Sequence, residues 1–499
     1  MAERLFGMET EYGFAVRGPG GAYLTRGRDW SERLFQLAAR SLKNLPSADG
    51  GGIFLPNGAR FYLDCGHPEM TTPECANPWD VVRYMQAGER LLLSVAEELK
   101  QRERSITEAL VFKTNVDHSG SGATWGCHTS FLHQANPAAL PAQLIPFLAS
   151  KLIFTGAGGI ETGPNGLRFT LSPRVAFLEQ EVSGSSTHGR GIFHTKDESL
   201  CADGFHRLHI LCNESLCSDT ALWLSMGATA LVVAMIEIGI RPGEGVKLAN
   251  PLAAMRQFAS DPACTTIVMS ANKRSLTAIE IQRHYLELAE THLRHPLMPP
   301  WADRVCKEWR SMLDRLARSA PASVATTLDW AIKFCLFSER LARRGLTWAK
   351  SDQNLSLLFL EVDEGRDVPR VRLPPEFKDV HQELCELDTR FGQLGDQGIF
   401  SALDRASALS HRFPGVDNIE HALANPPAIG RARLRGECVQ RYADENTRYS
   451  ASWTSILDRE KKMLLDLSQP FVQSAQWKEL PPGSARLTNV RDRLRQLLS

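Results

Sequence analysis

Several things are missing from this chain, and each absence narrows what it can be. Its 11 cysteines include no CxxC pair, which excludes the common zinc clusters and argues against a disulfide framework. Reduced thiols in a cytoplasm are expected instead, with Cys212 and Cys217, the closest pair, as packing residues. There is no excess of either charge: 57 Lys and Arg balance 57 Asp and Glu. No global field therefore draws the protein to nucleic acid or to an anionic membrane, and neither is expected as a partner. The opening "MAERLFGMETEYG" has no basic start, apolar run or cleavage site of a secretory signal. The longest apolar run, "ALWLSMGATALVVAMIEIGI" from Ala221 to Ile240, is interrupted by Ser225, Gly227, Thr229 and Glu237. It reads as a buried helix rather than a membrane span. A Walker A loop, a GxGxxG fingerprint, HExxH and GxSxG are all absent, so the usual signatures of nucleotide binding and hydrolysis do not apply.

What is present is an ordinary globular composition, 43% apolar and 23% charged over 499 residues, enough for two or three ordinary domains or for one large domain with a small companion. From Arg4 to Val16 the chain alternates, with Phe6, Met8, Thr10 and Tyr12 on one side of a strand and Glu9 and Glu11 on the other. Helices are expected from Trp30 to Leu45 and from Pro78 to Arg102. "LVFKTNVDHSGSGATWGCHTSFL" reads as strand, Gly/Ser-rich loop and strand. Strands are also expected around "LRFTLS" and "RLHILC". After Ser218 the period turns helical, with a capping box at Thr277 and Glu280. "RDVPRVRLPPEF" reads as a connector, and "ANPPAIG", Ala424 to Gly430, as a domain boundary. The expected division falls between 1–424 and 425–499, in an α/β arrangement with a strand-rich, acid-lined first half and a helical second half.

The chemistry concentrates in "FLPNGARFYLDCGHPEMTTPEC", Phe54 to Cys75. A turn signal at Asn57-Gly58 leads into a strand that places Arg60, Tyr62 and Asp64 on one face and Ala59, Phe61 and Leu63 on the other. Glu69 and Glu74 follow. Carboxylates gathered on strands and strand ends suit a hard cation such as Mg²⁺ bridging protein to phosphate, or are merely solvated. Arg60 can fork onto a phosphate or make a salt bridge to Glu9 or Glu69. The loop His118 to Gly126 can offer amides to an anion or be a plain hairpin. His128 and His209 read as hydrogen-bonded core histidines rather than ligands. Arg431, Arg433, Arg435 and Arg441 supply local positive charge toward a nucleotide or a solvated helix face.

The motifs "GMETEYG", "LPNGARFYLDCGHPEMTTPEC", "FKTNVD", "WGCH", "PFLASKLIFTGAG", "TKDE", "RLHI" and "NPPAIGRARLRGE", with Trp453, follow one another along nearly the whole chain. In that order and spacing they resemble the family of the Pup ligase and its sister enzyme, the Pup deamidase and depupylase. The resemblance implies a glutamine-synthetase-like carboxylate-amine ligase fold, a large curved-sheet α/β domain followed by a small C-terminal domain. It implies Mg²⁺ at Glu9, Tyr62 and Glu69, Asp64 as the catalytic carboxylate, and ATP contacts from Arg60, Thr72 and Trp453, with Glu11 and Glu74 nearby. It implies ATP-dependent activation of a C-terminal glutamate of Pup or a Pup-like modifier and its transfer to a lysine of a target protein, or to a peptide or small-molecule amine, with an indirect link to a bacterial proteasome. The alternative direction is amide or isopeptide hydrolysis, and a third reading is an ATP-binding adaptor without turnover. Only about 45 residues separate "EYG" from "NGAR", which leaves no room for the long depupylase loop. "DCGHPE", "NVD", "TPEC", "RGEC" and "LTW" lean toward the depupylase. Two segments depart from the family: His128-Thr129-Ser130 stands for His-Glu-Asn, and Asp197 to Asp203 for Asp-Glu-Pro-His-Ala-Asp. The metal and nucleotide half is retained and the substrate half is changed.

Overall fold

The computed structural model describes residues 3–24, 27–118, 122–163, 166–185, 188–198, 200–201, 204–351, 354–356, 361–363, 370–372 and 375–480. Its centre is a seven-stranded antiparallel sheet. The strands are β1 (Phe6–Glu11), β3 (Leu45–Pro46), β4 (Ile53–Phe54), β5 (Arg60–Asp64), β6 (His67–Thr71), β8 (Cys127–His133) and β9 (His206–Asn213), in the order β9-β8-β1-β6-β5-β4-β3. A separate pair, β2 (Gly13–Arg17) and β7 (Glu108–Phe112), runs antiparallel beside it.

The alternation in the sequence decides which face is covered. Phe6, Met8, Phe61, Met70, Phe131 and Leu208 are buried on one face. Against it pack α1 (Gly27–Ser41), α2 (Pro78–Arg102) and α3 (Asp219–Glu237). α2 starts where Asn77 accepts the Asp80 N–H at 2.9 Å and Pro78 supplies a preset first turn. α3 is apolar around its whole circumference, and 94% of its most apolar window is buried inside the protein. It is the central core helix, with Trp223 fully buried and stacked on Phe413 at 3.9 Å. Burying each large side chain of this kind contributes about 1.5–3 kcal/mol.

α1 differs from the sequence expectation, starting at Gly27 and ending at Ser41. The amide of Asn44 donates to the carbonyls of Ala39 at 2.9 Å and Leu42 at 2.8 Å. That satisfies the open helix end and turns Leu45-Pro46 into a sheet strand. The capping box is present at α4 (Ala278–Thr291): Glu280 N–H donates to Thr277 Oγ1, and Glu280 Oε2 accepts the Thr277 N–H at 2.7 Å. α5 (Ala302–Ser319), α6 (Asp329–Ala342) and α7 (Pro375–Phe391) follow. Of the Pro-rich connector, 366–369 and 373–374 lie outside the described residues.

The segment 424–430 follows a short helix, Ile419–Ala424, and leads into α8 (Arg431–Tyr442). A four-stranded antiparallel meander comes next: β10 (Tyr449–Ala451), β11 (Ser455–Asp458), β12 (Met463–Asp466) and β13 (Trp477–Glu479). Its core of Val439, Tyr449, Ile456 and Leu467 is shared with Leu45 and Phe54 of the main sheet. Ala48 N–H donates to the Ala451 carbonyl at 2.8 Å. The C-terminal unit is thereby fixed to the edge of the large sheet, next to the face that the helices leave open.

Candidate active site

Antiparallel register brings directly paired residues to the same face. Glu11 pairs with Glu69, and Glu69 with Tyr62; Glu9 pairs with Thr71, and Thr71 with Arg60. On the other side of β1, Glu9 pairs with His128, while Ser130 pairs with His209. One open face thus carries Glu9, Glu11, Tyr62, Asp64, Glu69, His128 and His209. Asp64 stands at the mouth of the β5–β6 hairpin. Its two-residue loop, Cys65 and Gly66, has φ of 49° and 91°, the left-handed pair that a tight hairpin of this length requires. The aspartate is exposed at the lip, whereas Glu69 is 2% exposed.

Two donor groups form on this face. Oxygens of Glu11, Asp64 and Glu69 lie within 4.8 Å of one another, and so do ligand atoms of Glu9, His128 and His209. The first set is all oxygen and fits Mg²⁺; the second adds two imidazoles. Burial drives the Glu9 carboxyl up, but its bond to His128 and the nearby His209, His128 and Arg207 overcome this and hold it at about 2. Burial pushes Glu69 well above the usual carboxylate range, and the charge of Glu9 adds to the shift. The Tyr62 hydroxyl donates to Glu69, and burial beside two carboxylates raises its pKa. Burial also raises Glu11, but it is held down on balance by His67 at 3.1 Å and the Gly126 N–H at 2.9 Å. Burial lowers His209 to about 3, and its Nδ1 is 3.0 Å from Ser130 Oγ. A face that keeps one carboxylate ionised beside another that resists ionisation is prepared for added positive charge.

The open face continues into an open-sided cavity lined by Gly7, Glu9, Thr72, Glu74, Arg207 and Trp453, among others. Thr72 is fixed at its entrance: its hydroxyl accepts the Met8 N–H at 3.1 Å, and its own N–H donates to the Met8 carbonyl at 2.8 Å. Trp453 meets the Phe54 ring edge-on at 5.2 Å, with the Arg435 guanidinium 4.7 Å from its centroid. Arg435 is fully buried, donates to the carbonyls of Gly58 and Trp453, and is paired with Glu74. Arg431 Nε donates to the same carboxylate at 2.7 Å.

The structure brings Glu9, Tyr62, Asp64 and Glu69 onto one face, and Thr72 and Trp453 onto the walls of the adjoining cavity. Arg60 shares the face, 4.8 Å above the Tyr62 ring, but its fork pairs with Asp49 at 3.0 Å rather than with Glu9 or Glu69. The intervening loop, not the sheet, supplies that carboxylate. Glu74 is turned into the Arg431 and Arg435 pair instead of the metal face. His209, expected to be a hydrogen-bonded core histidine, is buried and bonded to Ser130, while His128, read the same way, is only half-buried; both rings lie on the sheet face that carries Glu9. His67 joins this face without a distinct sequence signal beyond the alternation along "DCGHPE"; only the fold shows that its partner is Glu11. Of the changed segment Asp197 to Asp203, residues 199, 202 and 203 lie outside the described residues; Asp197 accepts from the Arg207 N–H at 2.7 Å.

An acid-lined open face on an antiparallel sheet, backed by helices and followed by a small sheet unit, is the mixed α/β fold that the Pup ligase resemblance implies, and the solved ligase PafA shares it. A family model described as Pup-ligase protein matches residues 4–373 and 370–457, and the chain belongs to that family. It is 30% identical over 480 residues to the Pup--protein ligase of Acidimicrobium ferrooxidans, covering 94% of this chain and 96% of the relative. It is 32% identical over 410 residues to the Pup deamidase/depupylase of Mycolicibacterium smegmatis, covering 81% and 75%. The ligase PafA solved in complex with Pup superposes with a TM-score of 0.75 at 24% identity, covering 100% of this chain and 96% of that one. PafA in complex with ADP gives 0.69 at 25% identity, covering 91% and 93%.

Proposed function

We propose that this protein is an ATP- and Mg²⁺-dependent ligase that joins the C-terminal glutamate of Pup, or of a Pup-like modifier, to an amine, above all a lysine of a target protein. The observation that carries this reading is the convergence of Glu9, Glu11, Glu69 and Asp64 on one face that opens into the cavity between Thr72 and Trp453. The near end-to-end correspondence with a Pup--protein ligase supports the direction. The domain division 1–424 and 425–499 belongs to the same proposal, with Trp453 reaching the cavity from the smaller part. A cytoplasmic location fits the 11 free cysteines.

In this reading the nucleotide base lies between Thr72 and Trp453, and the phosphates point along the sheet past Glu9. Glu9, Tyr62 and Glu69, with Glu11 beside them, would hold Mg²⁺, which neutralises phosphate charge during transfer. Arg60 exchanges Asp49 for a phosphate oxygen, a trade its planar fork permits. The γ-phosphoryl group passes to the modifier's glutamate side-chain carboxylate, giving an acyl phosphate and ADP. Asp64, exposed at the lip, takes the proton from the incoming amine, which attacks the acyl carbon and releases phosphate. Incubation with ATP, Mg²⁺, a modifier ending in glutamate and a lysine-bearing protein tests this: ADP forms in step with a conjugate lighter by one water than its two components.

A second reading, deamidation or depupylation, is favoured by the two-residue loop at Cys65-Gly66 and by the depupylase relatives. In that reading Asp64 attacks the amide or activates water. Cleavage of a preformed conjugate without stoichiometric ATP use selects it.

A further inference from the structure

A second constellation of nucleophile, imidazole and carboxylate lies outside the open face, between α6, α7 and the loop after β7. Cys385 of α7 has its sulfur 3.5 Å from His381 Nε2, one turn earlier on the same helix. The ring of His118 also acts on this thiol electrostatically. His118 Nε2 is 2.7 Å from Asp388 Oδ2, and the other Asp388 oxygen accepts from Lys333 Nζ at 2.6 Å. Lys333 is held in turn by the Gly158 carbonyl at 3.0 Å. The carboxylate fixes one imidazole, and that imidazole with a second flanks the sulfur. This is the arrangement that stabilises a thiolate.

Burial opposes ionisation of Cys385, but the bonds to His118 and His381 overcome it and hold the thiol at about 7. Burial likewise opposes protonation of His118, but Asp388 and Cys385 outweigh it and raise the ring to about 10. Cys385 is half-buried and lines a cavity beside β2 and β7, whose walls include Gln382, Thr389, Gln393 and Gln397. The charged and titratable groups around the thiol are His118 from the loop, Lys333 from α6, His381, Glu386, Asp388 and Arg390 from α7, and Arg17, Tyr23 and Glu108 across the cavity. The two exposed thiols elsewhere differ: the charge of Asp64 raises Cys65, and burial raises Cys335.

We propose that Cys385 is a thiol-modification site, a thiolate that exchanges with small polar disulfides entering the cavity beside β2 and β7. The thiolate attacks one sulfur of R–S–S–R. A Cys385–S–S–R bond forms, the original S–S bond breaks, and the second sulfur leaves as R–S⁻ and is protonated by solvent. One disulfide replaces another, so no separate oxidant is consumed.

The test treats the folded, reduced full chain with glutathione disulfide between pH 5.5 and 9 and follows each cysteine by peptide mass spectrometry. At pH 7 Cys385 should form the mixed disulfide about fivefold or more faster than Cys335, the larger thiolate fraction being partly offset by lower intrinsic nucleophilicity. Its rate should level off above about pH 7.5, while those of Cys65 and Cys335 continue to rise. His118→Gln should move the Cys385 midpoint upward by about one pH unit and His381→Gln by less. If His118→Gln does not fold, the pH profile of the unmodified protein decides alone. A Cys385 rate no greater than that of Cys335 at pH 7, or one still climbing tenfold per unit through pH 8.5, overturns the proposal.

Discussion

Replacing Glu74 by Gln removes the charge that compensates a fully buried arginine, and the structure sets the size of the effect. Glu74 bonds Arg431 and Arg435, whose side chains are 7% and 0% exposed, and is itself 17% exposed. Burial raises its carboxyl, but the two guanidinium groups overcome that and hold it at about 2 against 4.5. That depression is worth about 3 kcal/mol, in line with the 3–5 kcal/mol cost of breaking a buried pair by removing one partner. Arg435 would keep the Gly58 and Trp453 carbonyls and the faces of Phe54 and Trp453, so the lower end of that range is expected. Urea unfolding of the full chain, read by tryptophan fluorescence, should show a midpoint lower by roughly 1 M, given a slope of about 3 kcal/mol/M. Because the folded carboxyl titrates below the unfolded one, this stability is fully present above about pH 4.5 and is lost as pH falls toward 2. The Gln variant should lack that part of the acid dependence. Replacing both Arg431 and Arg435 by Met together with Glu74→Gln should recover a large share of the loss, since no charge of the buried trio is then left unpaired. A single variant within about 0.3 M of the parent midpoint would refute the reasoning.

Asp64→Asn should keep nucleotide binding, measured calorimetrically, and lose turnover by about 10²-fold or more; unchanged turnover in the folded variant removes Asp64 from the chemistry. Glu9→Gln should weaken Mg²⁺-dependent nucleotide binding about tenfold or more while leaving metal-free binding little changed, which titrations with and without Mg²⁺ would resolve. Gly126→Ala places a Cβ 2.8 Å from His128 Nε2 and 3.1 Å from Glu11 Oε1. Turnover should fall roughly tenfold or more with the urea midpoint nearly unchanged.

Local chemistry explains what could be read from the sequence. Asn77 and Pro78 open α2, and Thr277 with Glu280 opens α4; both are short-range signals, and both elements stand where they point. Alternation along β1 and β5 separates the faces, because period two is a property of a single strand. Register is not. That Glu11 lies opposite Glu69, and Glu9 opposite His128, depends on pairings between segments up to about 120 residues apart, so His128 reads as a core residue until β8 is placed, and that buried His209 shares the face of Glu9 is seen only once β9 is placed. For Arg60 the sequence offers a phosphate, Glu9 or Glu69 as partners but not Asp49, which reaches it through a loop. Glu74 carried the same ambiguity. Its partners lie more than 350 residues away on α8, and only docking of the C-terminal unit makes it a clamp beneath Trp453.

The most direct test of the central claim is a single reaction containing the protein, ATP, Mg²⁺, a glutamate-ended Pup-like modifier and a lysine-bearing protein, followed at once for ADP and for product mass. Ligation predicts one ADP per conjugate and a conjugate mass one water below the sum of its components. A reaction that yields no new conjugate, while a preformed conjugate supplied in place of the two components is hydrolysed without stoichiometric ATP consumption, would contradict it.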